Sequence, residues 1–144
     1  MSNTLRSAMS AAQEQARDLN QDFVGTEHLV LGVLSVDGEA TKVMRSAHAD
    51  VAKISAAYKQ QLPKASEVPV VTGDLPMSPK AARIINSAIV KTQSLRESRI
   101  TTRALLLVLM EEPGALFCQT LQSAGADVEG LQARLAEKVE PAEL

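Results

Sequence analysis

The sequence is poor in aromatic residues and in cysteine. Its 144 residues include no tryptophan, one tyrosine, two phenylalanines and a single cysteine, Cys118. One cysteine excludes an internal disulfide and a metal site with several thiolate ligands. A core with so few aromatic side chains must be built from aliphatic residues and alanine, and Leu and Ala are the best helix formers. The composition therefore favours closely packed helices over strands.

Excess charge and long apolar runs are also missing. The chain carries 15 basic and 17 acidic residues, for a net charge of -2, so it lacks the excess of basic residues that is typical of nucleic-acid binding. No apolar run reaches the roughly 18 residues of a membrane span. Residues 1–4 lack the basic segment that begins a signal peptide, and no apolar core follows them. We expect a cytoplasmic protein that binds neither nucleic acid nor membranes.

Catalytic motifs are absent as well. The sequence contains no phosphate-binding loop, no Gly-x-Ser-x-Gly and no His-Glu-x-x-His. Its two histidines, His28 and His48, lie 20 residues apart at a predicted helix start and a predicted helix end. Cys118 has no histidine or basic cluster nearby in sequence that would lower its pKa. We expect no enzyme activity, no metal site and no cofactor.

What the chain does contain is an internal repeat. Residues 23–34 return as residues 99–110, at an offset of 76, and residues 46–51 return as residues 123–128, at an offset of 77. A unit of this length is too long for one solenoid repeat and short for an independent domain. It indicates a duplicated four-helix unit whose two copies pack into one body.

The repeat predicts an all-α fold of about eight helices with pseudo-twofold symmetry. We expect a single domain over residues 1–144, with repeat one at 4–62, a proline-rich linker at 63–77 and repeat two at 78–139. The side chains of Ser, Thr and Asp favour helix N-caps. The predicted caps are Thr26, Asp50, Ser78, Thr102 and Asp127.

The segments after Thr26 and Thr102 are short and almost wholly apolar. Helices without a polar face must be enclosed by protein. The leucines expected to be buried are Leu29, Leu31, Leu34, Leu105, Leu107 and Leu109. His48 stands where repeat two has Gly125, a helix C-terminal position that often needs a positive φ, and histidine tolerates that conformation better than most residues do.

Glu27 is the one polar residue that stands out on its own. It lies in the first turn of an otherwise apolar helix, where the helix dipole favours an anionic side chain. A carboxylate held at a helix end can also accept charge-assisted hydrogen bonds from a cationic group of a partner. From the residues alone, the first interpretation, a favourable helix start, is preferred.

The first copy of the repeat contains a distinctive motif. It reads Gly25-Thr26-Glu27-His28-Leu29-x-Leu31-Gly32-x-Leu34. Preceded by an Ala-rich amphipathic helix and repeated after the linker, it resembles the N-terminal domain of the Clp unfoldases, the ring-forming ATPase chaperones that feed proteases. The resemblance covers about residues 4 to 139 and implies a mobile appendage that binds substrates and adaptors and performs no chemistry.

The resemblance also implies where a partner would bind. Some family members linked to arginine-phosphate tagging hold phosphoarginine with the glutamate of this motif, once per repeat. Glu27 matches that glutamate, whereas Arg103 replaces it in repeat two and reverses the charge. We therefore expect partner binding at Thr26, Glu27 and His28, and a weak or absent counterpart in repeat two. The Phe-Thr pair that often opens the family's first helix is replaced by residues 3–4, Asn-Thr.

The resemblance implies a protein-binding module of a Clp-type ATP-dependent chaperone or protease system, without ATPase or protease activity of its own. The expected partners are a Clp ATPase ring, an adaptor protein, or unfolded or tagged substrates. The alternative is a helical regulatory domain that binds a small ligand in the groove between the repeats. Two origins also stay open, a free-standing accessory subunit and the N-terminal domain of a longer unfoldase.

Overall fold

The computed structural model describes all residues from 1 to 144 and contains eight helices and no strand, as the repeat predicts. Each half begins with a helix of 16 residues and continues with three shorter ones. The helices are α1 (Asn3–Asp18), α2 (Thr26–Leu34), α3 (Glu39–Ser46), α4 (Val51–Gln60), α5 (Pro79–Ser94), α6 (Thr102–Glu111), α7 (Leu116–Ser123) and α8 (Val128–Leu135).

The apolar helices α2 and α6 lie at the centre. All residues of α6 from Thr102 to Met110 are buried, and α2 is buried from His28 to its end. The six leucines expected in the core are all buried, which confirms that expectation. A single cluster of 31 buried apolar residues draws on both halves of the chain, so the two halves share one core.

The two halves also match in their turns. His48 and Gly125 both have a positive φ, as the repeat predicts. Asn20 after α1 and Arg96 after α5 form a second matched pair with positive φ, and they lie 76 residues apart. A positive φ outside glycine is uncommon, so its recurrence at equivalent positions supports the duplication.

Three predicted N-caps are confirmed. The side chains of Asp50, Ser78 and Asp127 each accept a hydrogen bond from the backbone N–H three residues further along. Pro79 follows Ser78 at the start of α5, where its missing N–H leaves no donor unsatisfied.

The caps predicted at Thr26 and Thr102 are wrong by one residue. Both threonines are the first helical residue, and the extended cap positions are Gly25 and Thr101. Gly25 has no side chain to cap with. Instead, its own N–H donates to Nδ1 of His28 at 2.9 Å. A side chain of the first helical turn therefore provides the capping hydrogen bond at the start of α2.

The linker is held against α1. The side-chain amide of Gln13 both donates to the carbonyl of Leu75, at 2.9 Å, and accepts from its N–H, at 2.8 Å. Leu75 is buried, and Val24 forms an isolated parallel bridge with Met77. The end of the linker therefore reaches α5 along a fixed path beside the start of α2.

No single helix has the length and apolar character needed to cross a membrane. One bent pair, α6 with α7, meets that requirement when taken together, with an angle of 94° between the two helices.

α1 and α2 pack at very short range. A Cβ atom placed on Gly32 would lie 2.3 Å from the carbonyl oxygen of Ala8 and 2.9 Å from the nitrogen of Ala12. Both are backbone atoms of α1 and cannot move independently of that helix. The missing side chain at Gly32 thus sets the distance between the two helices.

We expect Gly32→Ala to destabilise the protein by about 1–3 kcal/mol, as overpacking does, although alanine is the better helix former. Gly130→Ala is the matched control, because its Cβ would meet only the side chain of the N-cap Asp127 and no backbone atom of another helix. Urea denaturation of both variants tests this. A control that loses as much stability as Gly32→Ala would contradict the close-packing explanation.

A second expectation concerns pH. Burial lowers the pKa of His28 below 6.5, although Glu27 opposes the shift. The unfolded chain therefore takes up the proton first as the pH falls below about 6.5, and folding stability should decline there by at most about 1.4 kcal/mol per pH unit. Protonation would also end the role of Nδ1 as acceptor for the Gly25 N–H.

Denaturation between about pH 7.5 and 5.5 measures this dependence. His28→Gln should remove it, because a glutamine at the third helical position can accept the same bond without titrating. His48→Asn is the control, since His48 is exposed and asparagine tolerates its positive φ. The explanation fails if His48→Asn, and not His28→Gln, flattens the profile.

Candidate functional site

The two halves differ in the packing of their third helices. α3 packs closely against α6, whereas its counterpart α7 makes few contacts with α2. The residues at the start of these helices explain the difference. Gly38 and Glu39 lead into α3, and the equivalent positions before and in α7 are Ala115 and Leu116, 77 residues further along. The space left between α2 and α7 forms a cavity.

This cavity has a volume of about 320 Å³ and lies between the repeats. Its walls come from α2, α4, the end of α6 and the start of α7, with one lysine from α5. Its apolar lining consists of Val30, Tyr58, Leu62, Leu109, Leu116 and Phe117 together with Pro63, Pro113 and Ala115, and its charged side chains are Glu27, Lys80 and Glu112. It therefore combines an apolar interior with a few charged groups, which is typical of binding sites.

Glu27 supplies a carboxylate that has no strong partner of its own. Its side chain is 26% exposed, and its nearest polar neighbours are the hydroxyl of Thr26, which donates to it at 3.5 Å, and Nε2 of His28, at 3.8 Å. No lysine or arginine lies within ion-pair distance, because Lys80, the cation of the cavity, pairs with Glu112 at 3.9 Å. The missing side chain of Gly25 leaves room for the carboxylate, since a Cβ there would lie 2.4 Å from Oε1.

Tyr58 and Phe117 form part of the cavity wall. Both rings are buried, and they meet edge to face with centroids 5.5 Å apart. Burial raises the pKa of the Tyr58 phenol above its ordinary value, and the negative charge of Glu27 raises it further. The phenol therefore stays neutral beside the Glu27 carboxylate and can donate a hydrogen bond to a bound group.

The structure separates the three residues predicted to bind a partner. Thr26 and Glu27 line the cavity. His28 is 1% exposed and lies behind them, where its Nδ1 accepts from Gly25 and its ring packs against Phe23 with centroids 5.8 Å apart. His28 therefore positions the start of α2 and does not itself face the cavity.

Arg103, at the position equivalent to Glu27, is fully buried and offers no group to a ligand. Its guanidinium donates to Glu39 at 2.9 Å, to the carbonyl of Leu135 at 2.6 Å and to Glu97. Leaving a buried ion without its partner costs about 3–5 kcal/mol, so this arginine is a structural residue.

Sequence reasoning missed Glu39 and Glu97 as partners of this arginine. One indication was available, because Arg103 is the only charged residue in an apolar run from Ile100 to Met110. A charge in such a run must find a partner when the helix is buried. The sequence does not say which acidic residues provide it, since they come from α3 and from the turn after α5.

The remaining candidate groups show no catalytic arrangement. Cys118 is half-buried, and burial raises the pKa of its thiol, which is opposite to the shift that activates a nucleophile. No group of three or more His, Cys, Asp or Glu side chains is placed to hold a metal ion.

Comparison with known sequences relates the chain to Clp chaperones. It is 29% identical to chaperone protein ClpC1 of rice, Oryza sativa subsp. japonica, over 129 residues, which is 89% of this chain and 14% of that protein. It is 28% identical to the ATP-dependent Clp protease ATP-binding subunit ClpA homolog of Cyanidium caldarium, over 89% of this chain and 15% of that protein. The chain thus spans about one seventh of the length of these relatives.

Solved structures share the fold. The Hsp104 N-terminal domain from Candida albicans superposes with a TM-score of 0.77 at 15% identity, covering 95% of this chain and 89% of that one. The N-terminal domain of ClpD from Arabidopsis thaliana gives a TM-score of 0.73 at 18% identity, covering 94% and 91%. The sequence model of the Clp repeat (R) N-terminal domain matches residues 1–107. The chain therefore belongs to the Clp N-terminal domain family.

Proposed function

We propose that this chain is a protein-binding module of a Clp-type chaperone or protease system, and that the cavity between α2 and α7 receives a cationic side chain of a substrate or adaptor. The observation that carries the proposal is the Glu27 carboxylate, which has no lysine or arginine partner and lies in a largely apolar cavity. The kind of partner, a substrate or adaptor of a Clp ATPase, follows from the family.

The shape and charge of the cavity favour an arginine-type group. Its volume of about 320 Å³ accommodates one large side chain with a few neighbouring atoms. A guanidinium can donate two parallel hydrogen bonds to a carboxylate, and its flat apolar faces suit rings such as those of Tyr58 and Phe117. Lys80 at the rim could meet a phosphate carried on the same group. The phosphoarginine-binding family members suggest that ligand as the first probe.

The Glu27 carboxylate should contribute most when the bound group is partly removed from water. Charge-assisted hydrogen bonds of this kind are worth about 1.5–3 kcal/mol each. We expect Glu27→Gln to weaken binding of a phosphoarginine peptide by about tenfold or more, measured by calorimetric titration.

Glu129→Gln is the matched control for this experiment. Glu129 is also a glutamate in the first turn of a helix, but it is exposed on α8 and does not line the cavity. Affinity should be unchanged in Glu129→Gln. Equal affinities for the wild type and Glu27→Gln would contradict the assignment of the site. The unphosphorylated peptide shows how much of the affinity depends on the phosphate.

A small molecule is the second candidate for the same cavity. The volume lies at the lower end of the range for small-ligand sites, about 300–1,000 Å³. Native mass spectrometry of protein purified from its own cells would show such a ligand as a bound mass. Recovery of an unfoldase ring or of unfolded proteins instead supports the protein-binding proposal.

We also propose that the chain neither binds nor hydrolyses ATP. It has no phosphate-binding loop, and it covers only a small N-terminal share of its ATPase relatives. Calorimetry with ATP and magnesium should therefore give no saturable binding isotherm. A saturable isotherm would overturn this proposal while leaving the peptide-binding proposal intact.

A further inference from the structure

In repeat two, the position that corresponds to the cavity is occupied by the C-terminal segment of the chain, residues 140–144. The side chain of Glu143 enters between the start of α3 and the start of α6. One carboxylate oxygen accepts from the N–H of Glu39 at 2.9 Å and from the hydroxyl of Thr102 at 2.6 Å. The other accepts from the N–H of Thr102 at 2.8 Å and from the hydroxyl of Ser2 at 2.6 Å.

These donors place three helix N-termini around one carboxylate. Glu39 and Thr102 are the first residues of α3 and α6, and Ser2 is the N-cap of α1. The free N–H groups and the dipole at a helix N-terminus favour an anion, and here three such ends converge on the same two oxygen atoms. Four donors satisfy the carboxylate without any side-chain cation.

The backbone around the carboxylate is shaped to admit it. A Cβ on Gly38 would lie 2.6 Å from the Glu143 carboxylate and 2.7 Å from the hydroxyl of Thr102. A residue with a side chain would therefore fill the space where the carboxylate sits. The equivalent residue in the other half is Ala115, and no carboxylate of the chain is bound there.

The main chain of the segment is held like a bound peptide. The N–H of Glu143 donates to the buried Glu39 carboxylate at 2.6 Å, and the carbonyl of Leu144 accepts from the N–H of Asn3 at 2.6 Å. The carbonyl of Glu140 accepts from Nζ of Lys42 at 2.8 Å. Arg103 pairs with the Glu39 carboxylate and so holds in place the group that accepts from the segment.

Open space flanks the segment on both sides. One hollow, of about 330 Å³, is lined by Lys42 and by Arg45, which pairs with Asp37 at 2.9 Å. The other, of about 360 Å³, is lined by Arg96 and Arg99 together with Glu97. Residues 141 and 143 line the first, and residues 142–144 line the second. The segment therefore crosses a groove whose sides carry charges of both signs, and Arg96 and Arg99 form no ion pair there.

We propose that residues 140–144 are a ligand bound in cis to a peptide-binding groove of repeat two, and that this groove takes a glutamate-containing acidic segment of a partner protein when the chain's own segment is displaced. The segment regulates the groove by competition. A tethered segment on a short linker acts at an effective concentration of about millimolar, so it excludes free peptides of similar affinity.

The two repeats would then bind opposite charges at related positions. Repeat one offers the Glu27 carboxylate to a cation, and repeat two offers converging helix N-termini to a carboxylate. This inference does not depend on the function proposed for the first cavity.

The test uses the 144-residue chain with Glu143→Lys, a substitution that repels the segment from the site. The probe is a fluorescent peptide of residues 138–144 with both ends blocked. It should bind Glu143→Lys saturably, at least about tenfold more tightly than it binds the wild type, because loss of the charged contact frees the groove. Glu137→Lys makes the same charge change at an exposed residue next to the segment and should behave like the wild type.

Three further measurements distinguish a specific groove from general attraction between charges. A probe with glutamine in place of Glu143 should not bind. Adding Gly38→Ala to Glu143→Lys should abolish binding, because the methyl group occupies the space of the carboxylate. Adding Glu27→Gln to Glu143→Lys should leave probe binding unchanged, which separates this site from the first cavity. Equal probe binding by Glu143→Lys and Glu137→Lys, or by the glutamate and glutamine probes, would overturn the proposal.

Hydrogen exchange provides an independent measurement should Glu143→Lys fail to fold. In the wild type, the amides of Glu39 and Thr102 are protected by the Glu143 carboxylate. They should exchange at least about tenfold faster in Glu143→Gln than in Glu137→Gln, since the amide oxygen and nitrogen cannot accept all four bonds. Equal rates in the two variants would show that the segment is not a ligand of these helix ends.

Discussion

The structure depends on the burial of two helices that have no polar face. α2 and α6 lose almost all contact with water, so the other six helices must surround them. The packing is tight, because α1 approaches α2 so closely at Gly32 that no side chain fits there. The ends of such helices still carry free N–H groups that need partners. Polar chemistry in this protein is therefore concentrated at the N-termini of α2 and α6, and both proposed binding sites lie there.

Duplication supplied two equivalent helix ends, and a few substitutions made them different. At the start of α2, Glu27 lies in an open cavity without a lysine or arginine partner. At the start of α6, Arg103 turns inward to Glu39 and Glu97, α3 packs against α6, and residues 140–144 occupy the equivalent space. The residue before the third helix of each half also differs. Gly38 leaves room for a carboxylate, whereas the methyl group of Ala115 would fill the equivalent space.

Much of the fold was accessible from local pattern. The offsets of the repeat, the apolar runs after Gly25 and Thr101, and the capping side chains of Asp50, Ser78 and Asp127 each concern residues that are close in sequence, and the structure bears them out. The error at Thr26 and Thr102 was also local, because two neighbouring positions can each begin a helix. Gly25, and not Thr26, is the N-cap of α2 because the ring of His28 accepts a hydrogen bond from the Gly25 N–H. That ring is itself buried in the core.

The sequence by itself determined the helical class, the duplication, the buried leucines and the family, because each follows from spacing or from a contiguous motif. It also singled out Glu27. Only the tertiary structure decided that Glu27 faces a cavity while Arg103 is buried, since that difference depends on Glu39 and Glu97, which are 64 and 6 residues away from Arg103. Likewise, the carboxylate of Glu143 meets Ser2 across 141 residues, and no local pattern encodes a contact that exists only once the helix ends converge.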